Sequence, residues 1–345
     1  MIFFFKRLQF ISLQNNWISE KQFGFVPGKS CEDALVNIVK KIEGGFDESK
    51  FVLIIFLDIS GAFDCCWHTS ILNSLIEKGC EQGYLNIIKS YLSNRVNHLD
   101  INKTSKLKKL SRSAPQGGGF SPFLWDVDFD DCLSLPDEIV DRVDVDSDCQ
   151  AFADDSEVIV ISESLFTCQN VANEILDHLY RHSKTKKMTY SPDKTKATIF
   201  SKKSITFPID IKLGNTQIEI CNSNTLLGVT LDSRLKWRQH IKNQIAKCKN
   251  IIFLLNSSCK LNWGISPSVL RKIWGGIIEQ ILLYGCPAWA SFIDKSWLKN
   301  QLESLQRFFA TKIIKSFKDV SYEAAIRISG LTPIMEKSKR ALSTV

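Results

Sequence analysis

Apolar positions along the chain recur first at helical spacing. In EDALVNIVKKIE (32 to 43), Leu35, Ile38, Val39 and Ile42 fall on one face, the three-to-four-residue step of an amphipathic helix. GGFDESK then reads as a turn, and FVLIIFLDI (51 to 59) as an almost wholly apolar strand. HTSILNSLIEKG predicts a helix ending at Gly79, YLNIIKSYLSNR a second, and NVANEILDHLYRHS a third. AFADDSEVIVIS reads as a hairpin with Asp154 and Asp155 at its bend. Residues 205 to 232 alternate as sheet does, with LGNT (213 to 216) as a hairpin turn. From about residue 236 the spacing is helical, and Leu298, Leu302, Leu305, Phe309 and Ile313 form one stripe, the core face of an amphipathic helix. No internal repeat interrupts this order, which is that of a mixed α/β centre followed by a helical end. The opening MIFFFKRLQFISL is apolar but broken by Lys6 and Arg7, which fits a packed terminal strand or helix better than a signal anchor.

Composition narrows the class. The chain has 345 residues, 44% hydrophobic and 23% charged, as in a globular protein with room for two or three subdomains. No apolar run approaches the roughly 20 residues of a membrane helix. The eleven cysteines contain no CxxC pair, which argues against a zinc ribbon or a secreted disulfide framework and for a reducing, intracellular setting in nucleus or cytoplasm.

Charge is unevenly placed. From Asp126 to Asp155 there are twelve acidic residues and a single basic one, Arg142. The formal charge of the whole chain is nevertheless +7, with basic runs such as KTSKLKKLSR (103 to 112) and RHSKTKKMTYSPDKTK (181 to 196). An acidic cluster inside a basic protein suggests a cation centre within a polyanion-binding surface. Solvated loops are the plainer reading of either run.

Two adjacent carboxylates repel unless a cation stands near them. Asp58 ends the most apolar strand in the chain, where a carboxylate is costly unless paired or bound to metal. If that strand lies beside the hairpin, Asp58 faces Asp154 and Asp155. Mg²⁺ suits such an all-oxygen set, and two ions about 4 Å apart support phosphoryl transfer. Each signal also has an ordinary reading: paired aspartates at a bend are common turn chemistry, and Phe63 reads equally as a core side chain. GKS (28 to 30) is no P-loop, because Phe23 stands where the first glycine belongs.

Taken in order, the motifs resemble the reverse transcriptases of LINE-type (non-LTR) retrotransposons of the jockey and I-factor kind. KQFGFVPGKS, FLDISGAFD, SAPQGGGFSPFLWDVDFDDCL, AFADD, YSPDKTKATIFS and LLGVTLDSRLKWRQHI are similar to successive segments of that family, and the likeness runs from about residue 20 to 335. IIEQILLYGCPAWA and the stretch ending SGLTPI resemble sequence that follows its core.

The resemblance implies a right-hand polymerase of α/β (α+β) class: partial fingers over 1 to 57, a palm that includes part of the fingers over 58 to 235, and a helical thumb-like region over 236 to 345. It implies RNA-directed DNA polymerisation, with an RNA template, a DNA primer and dNTP as partners and two Mg²⁺ ions, or Mn²⁺, as cofactor. Asp58, Asp154 and Asp155 would be the catalytic carboxylates, and the backbone carbonyl of Ile59 a further metal ligand. Phe63 would be the steric gate against a ribose 2′-OH. Gln116 and Gly117 would position nucleotide and template, with Gly118 and Gly119 allowing close backbone approach. Lys194 would donate a proton to leaving pyrophosphate.

Departures from the family pattern are Val26 where arginine is common, Gly119 and Phe120 where aliphatic residues are usual, and a start inside the fingers, as in a piece of a polyprotein. DVDFDDC is also richer in aspartate than the resemblance requires. The alternative function is an inactive remnant that at most binds nucleic acid. A palm-fold nucleotide cyclase lacks its Gly-Gly-Asp/Glu signature here.

Overall fold

The computed structural model describes residues 2–101, 104–115, 117–139, 145–205, 208–256, 264–289, 292–317 and 319–342. The chain divides into two units, residues 1–224 and 225–345. In the first, α1 (Ile2–Gln14), α2 (Cys31–Asp47), β1 (Phe51–Leu57), α3 (Ala62–Cys65), α4 (His68–Glu77), α5 (Gln82–Leu92) and the paired strands β2 (Val96–Ile101) and β3 (Thr104–Lys109) come in turn. They are followed by α6 (Ser121–Ile139), β4 (Asp146–Phe152), β5 (Asp155–Ser162), α7 (Leu165–Thr185), β6 (Lys196–Phe200), β7 (Lys212–Leu213), β8 (Thr216–Gln217) and β9 (Glu219–Ile220).

The main sheet has the order β4-β5-β1-β6-β9, with β1 antiparallel to both of its neighbours and β9 parallel to β6. Its first four strands, with helices between β1 and β4 and α7 between β5 and β6, make a β-α-β-β-α-β unit of the ferredoxin-like kind. The two faces of the sheet are covered differently. Leu53, Ile55, Leu57, Val158 and Val160 belong to a core shared with α6 and α7. On the other face Gln150 reaches α2, donating to the Ala34 carbonyl and accepting from Asn37.

The helical stripe read in α2 is buried, but the helix does not stop at Gly44. It runs on to Asp47, with both glycines inside the helix, and Gly45 serves packing rather than a turn. A Cβ on Gly45 would lie 2.3 Å from Val52 Cγ2, so its absence lets helix and strand approach. The chain turns only at 48 to 50. The alternating stretch from 205 to 232 also yields less sheet than its pattern predicts. β7 and β8 are two residues each around Gly214 (φ +61), and Thr206 and Phe207 lie outside the described residues. The apolar opening is helix α1, whose Leu8 is fully buried and whose Phe4 and Phe5 pack on Phe120.

The hairpin of β10 (Ser223–Leu226) and β11 (Val229–Asp232) comes next in the chain. The second unit is otherwise helical: α8 (Arg238–Asn256), α9 (Pro267–Ile273), a π-helical turn over Trp274–Ile278, α10 (Glu279–Leu282), α11 (Cys286–Trp289), α12 (Ser296–Ile313), α13 (Tyr322–Ser329) and α14 (Ile334–Leu342). All five members of the predicted α12 stripe are buried. Among the described residues no helix is long and apolar enough to cross a membrane, and every cysteine is free.

The aspartate run has a structural account. Helix α6 is a buried strut whose carboxylates tie neighbouring elements together. Asp128 accepts from Ser70 Oγ (2.6 Å) and Ser74 Oγ (3.2 Å) on α4 and pairs with Lys186 Nζ (3.2 Å) just after α7. Asp130 takes the Ser19 N–H and Lys78 Nζ, each at 2.6 Å, and Asp131 takes His182 at 3.0 Å and Lys186 at 2.9 Å. Burial works against the Lys186 ammonium, but Asp128 and Asp131 outweigh it and raise its pKa. For Asp128 desolvation prevails and lifts the carboxyl above its usual range.

Asp126 differs from the rest. It is buried, neither of its carboxylate oxygens has a hydrogen-bond partner, and desolvation together with the charge of Asp130 raises its pKa well above the ordinary value. A carboxyl whose proton is held more tightly in the folded state contributes stability below the unfolded pKa, about 4, and loses it as pH rises through the folded value. Asp126→Asn is therefore expected to flatten that decline. Urea unfolding at acidic and neutral pH should show the variant gaining on the wild type as pH rises; parallel profiles would refute a protonated Asp126.

Candidate functional site

Strand β1 carries Asp58 one residue past its end. Leu57 pairs with Ser156, so the register sets Asp58 across from Asp155, at the spacing of about 5 Å typical of paired antiparallel residues. On the far side of β5 the hairpin closes with Phe152 paired to Asp155, leaving Ala153 and Asp154 as a two-residue turn. Ala153 stands at φ +60, a conformation that two-residue hairpins need and that glycine or asparagine normally supplies. Asp154 is thus in the turn, and Asp155, exposed, is the first residue of β5. Three sequence-predicted carboxylates are brought to one sheet end.

Electrostatics reflect the crowding. Partial desolvation, then the charges of Asp154 and Asp58, raise the pKa of the Asp155 carboxyl. Asp58 Oδ2 is buried without a hydrogen bond; Lys194 Nζ lies 3.7 Å away, an ion pair too long to be a hydrogen bond. Behind the carboxylates, burial pushes Glu157 up to about 8.

The turn after α7 wraps the end of β1. Ser191 N–H donates to the Asp58 carbonyl at 2.8 Å, Ser60 N–H to the Thr189 carbonyl at 2.9 Å, and Asp58 N–H to Thr195 Oγ1 at 3.2 Å. Ile59 and Tyr190 therefore form the narrow, non-hydrogen-bonded kind of antiparallel pair, in which the ladder bonds fall on the flanking residues. Because successive carbonyls alternate, that of Ile59 is directed away from Tyr190, to the hairpin side.

Phe63, on the short helix α3, is half-buried with its ring 6.0 Å from that of Trp125. Its carbonyl accepts the Ala114 N–H at 2.8 Å, which fixes α3 to the loop leading into α6. In that loop Gly117, at φ +80, completes a turn closed by Gly118 N–H to the Pro115 carbonyl at 3.1 Å. A Cβ on Gly118 would crowd Ser121 Oγ and the Tyr91 hydroxyl at 3.2 and 3.3 Å. Gln116 lies outside the described residues.

Residue-by-residue reading of the sequence missed the groups that hold the turn. The segment at 21 to 24 runs alongside β4: Ala151 N–H donates to the Lys21 carbonyl at 2.9 Å and Phe23 N–H to the Ala151 carbonyl at 2.7 Å. Gln22 and Trp125 reach the Ala153 peptide groups directly. An amide side chain beside a glycine in an apolar setting, QFGF, was the available signal.

Among the described residues one further group gathers metal-type donors, Asp131, Cys132 and His182, within 4.8 Å. Lys186 and His182 both bind Asp131 Oδ2, while Asp131 Oδ1 is buried without a hydrogen-bond partner, and burial raises the Cys132 thiol far above its usual pKa. The Lys186 ammonium 2.9 Å from Asp131 would repel a cation held there, so the group reads as a structural ion cluster.

Comparison with known proteins bears on this geometry. Over 322 residues the chain is 23% identical to the 115 kDa protein of a type-1 retrotransposable element of Drosophila melanogaster, covering 93% of this chain and 30% of that one. With the RNA-directed DNA polymerase from mobile element jockey of the same species it shares 27% over 295 residues, 84% of this chain and 31% of the other. The chain thus spans about a third of the length of these curated relatives. Among solved structures, the telomerase of Candida tropicalis in complex with a fragment of telomeric RNA superposes with a TM-score of 0.49 and 10% identity, over 98% of this chain and 53% of that one. Residues 3–231, which contain every carboxylate of the candidate site, match the family described as reverse transcriptase (RNA-dependent DNA polymerase), and the chain belongs to that family.

Proposed function

We propose that this reverse transcriptase domain performs RNA-directed DNA polymerisation as part of a non-LTR retrotransposon protein, joining dNTPs to a DNA primer 3′-hydroxyl on an RNA template. The ferredoxin-like sheet is then the palm, which takes in β1 (Phe51–Leu57) that a boundary at 58 leaves with the fingers; the residues before β1 are part of the fingers, and the helical second unit is the thumb-like region. The observation that carries this reading is the register that sets Asp58 against the Asp154–Asp155 turn.

The donor set fits a hard divalent cation. It consists of oxygens alone, and Asp58 keeps a buried carboxylate oxygen without a hydrogen bond, as a magnesium ligand would. Asp58, Asp154, Asp155 and the Ile59 carbonyl would hold two Mg²⁺ ions, with Mn²⁺ as a substitute. When bound, such ions activate the attacking hydroxyl and neutralise the leaving oxygen.

The chain's own groups do the rest. Lys194, exposed at the rim, carries the proton that the leaving pyrophosphate takes up. Gly117 lets backbone approach the template–nucleotide pair, next to Gln116, and the Phe63 ring closes the space a 2′-hydroxyl would need.

Extension of a DNA primer on RNA with Mg²⁺ and labelled dNTP tests the function. Incorporation supports it; template binding without incorporation would leave a nucleic-acid-binding remnant. If Phe63 is the gate, Phe63→Ala should lower the preference for dNTP over rNTP by about tenfold to a hundredfold. Unchanged discrimination in competition assays would make Phe63 a core side chain only.

A further inference from the structure

We propose that Gln22 is a positioning residue for the catalytic hairpin, an inference that rests on the polymerase reading above. Its side-chain amide clasps the peptide groups on both sides of Ala153. Gln22 Oε1 accepts the Ala153 N–H at 2.9 Å, and Gln22 Nε2 donates to the Ala153 carbonyl at 3.3 Å. The same Oε1 accepts the Gly24 N–H at 2.9 Å, which bends the segment into place. Trp125 Nε1 donates to the Ala153 carbonyl at 3.1 Å. Gln22 and Trp125 are both fully buried.

Ala153 needs outside support. Its left-handed backbone, φ +60, is one an alanine avoids unless neighbours over-determine it. Asp154 follows directly, so any relaxation at Ala153 re-aims the carboxylates. Gly24 seals the arrangement, because a Cβ there would fall 2.2 Å from Ala153 N. Lys29 Nζ anchors the segment in turn, donating to the Gln22 carbonyl at 2.9 Å and lying 4.9 Å from the centre of the Phe23 ring.

The test uses the whole chain and two readouts. Gln22→Met keeps the volume and removes the side-chain hydrogen bonds. It is expected to speed amide exchange at Ala153 by about tenfold or more. It should also lower kcat for primer extension by about tenfold to a hundredfold, with KM for dNTP within about twofold of wild type. Trp125→Phe should move both readouts the same way by less. Wild-type exchange at Ala153 with wild-type kcat would overturn the proposal. So would exchange that accelerates equally throughout β1 and β5, the mark of a merely structural residue. If the wild type extends no primer, the polymerase reading fails by itself, and exchange at Ala153 still decides whether Gln22 holds the turn.

Discussion

Asp154→Ala is expected to reduce primer extension by about a thousandfold or more, the scale of loss when one member of a catalytic unit is removed. The reason is geometric. Asp154 sits in a two-residue turn with Asp155 after it and Asp58 on the neighbouring strand, so its removal leaves two of the three carboxylates to hold the ions. Fold and template affinity should hardly change, because the site lies at a surface turn and removing one of three crowded carboxylates relieves repulsion. Filter binding of an RNA–DNA hybrid, run beside extension, separates the two effects. Equal loss of binding and extension would mean that Asp154 serves structure instead.

The second large effect falls on stability. Asp128→Ala removes the acceptor shared by Ser70, Ser74 and Lys186 and leaves a largely buried ammonium with Asp131 as its remaining carboxylate. Breaking a buried pair on one side typically costs about 3 to 5 kcal/mol. Urea unfolding should show a lowered midpoint whose shift, multiplied by the m-value, equals that loss. The double variant Asp128→Ala, Lys186→Met should recover part of the loss, because the stranded charge goes with its partner. A fully additive double variant would deny the coupling and with it the account of α6 as a charged strut.

The difference between these two sites marks what the sequence could reveal. Asp58 and the Asp154–Asp155 pair stood out because strand periodicity placed them at strand ends, where a carboxylate calls for an explanation. Their juxtaposition needed only that two neighbouring strands pair. The aspartates of α6 were visible as an excess but not as a device, since their partners, Ser19, Lys78, His182 and Lys186, come from segments far away in the chain. Gln22 was hidden for the same reason, lying 131 positions from Ala153. Gly44 and Gly45 misled because local propensity marks a turn, whereas the helix runs through both and Gly45 packs closely against Val52.

The central claim is that Asp58, Asp154 and Asp155 act as one metal-holding centre. Anomalous diffraction from crystals grown with Mn²⁺, primer, template and a non-reacting dNTP analogue tests it most directly. The account predicts manganese held jointly by oxygens of Asp58 and Asp154, and lost in Asp154→Ala crystals. Manganese bound elsewhere, with nucleotide seated and these carboxylates bare, would contradict it.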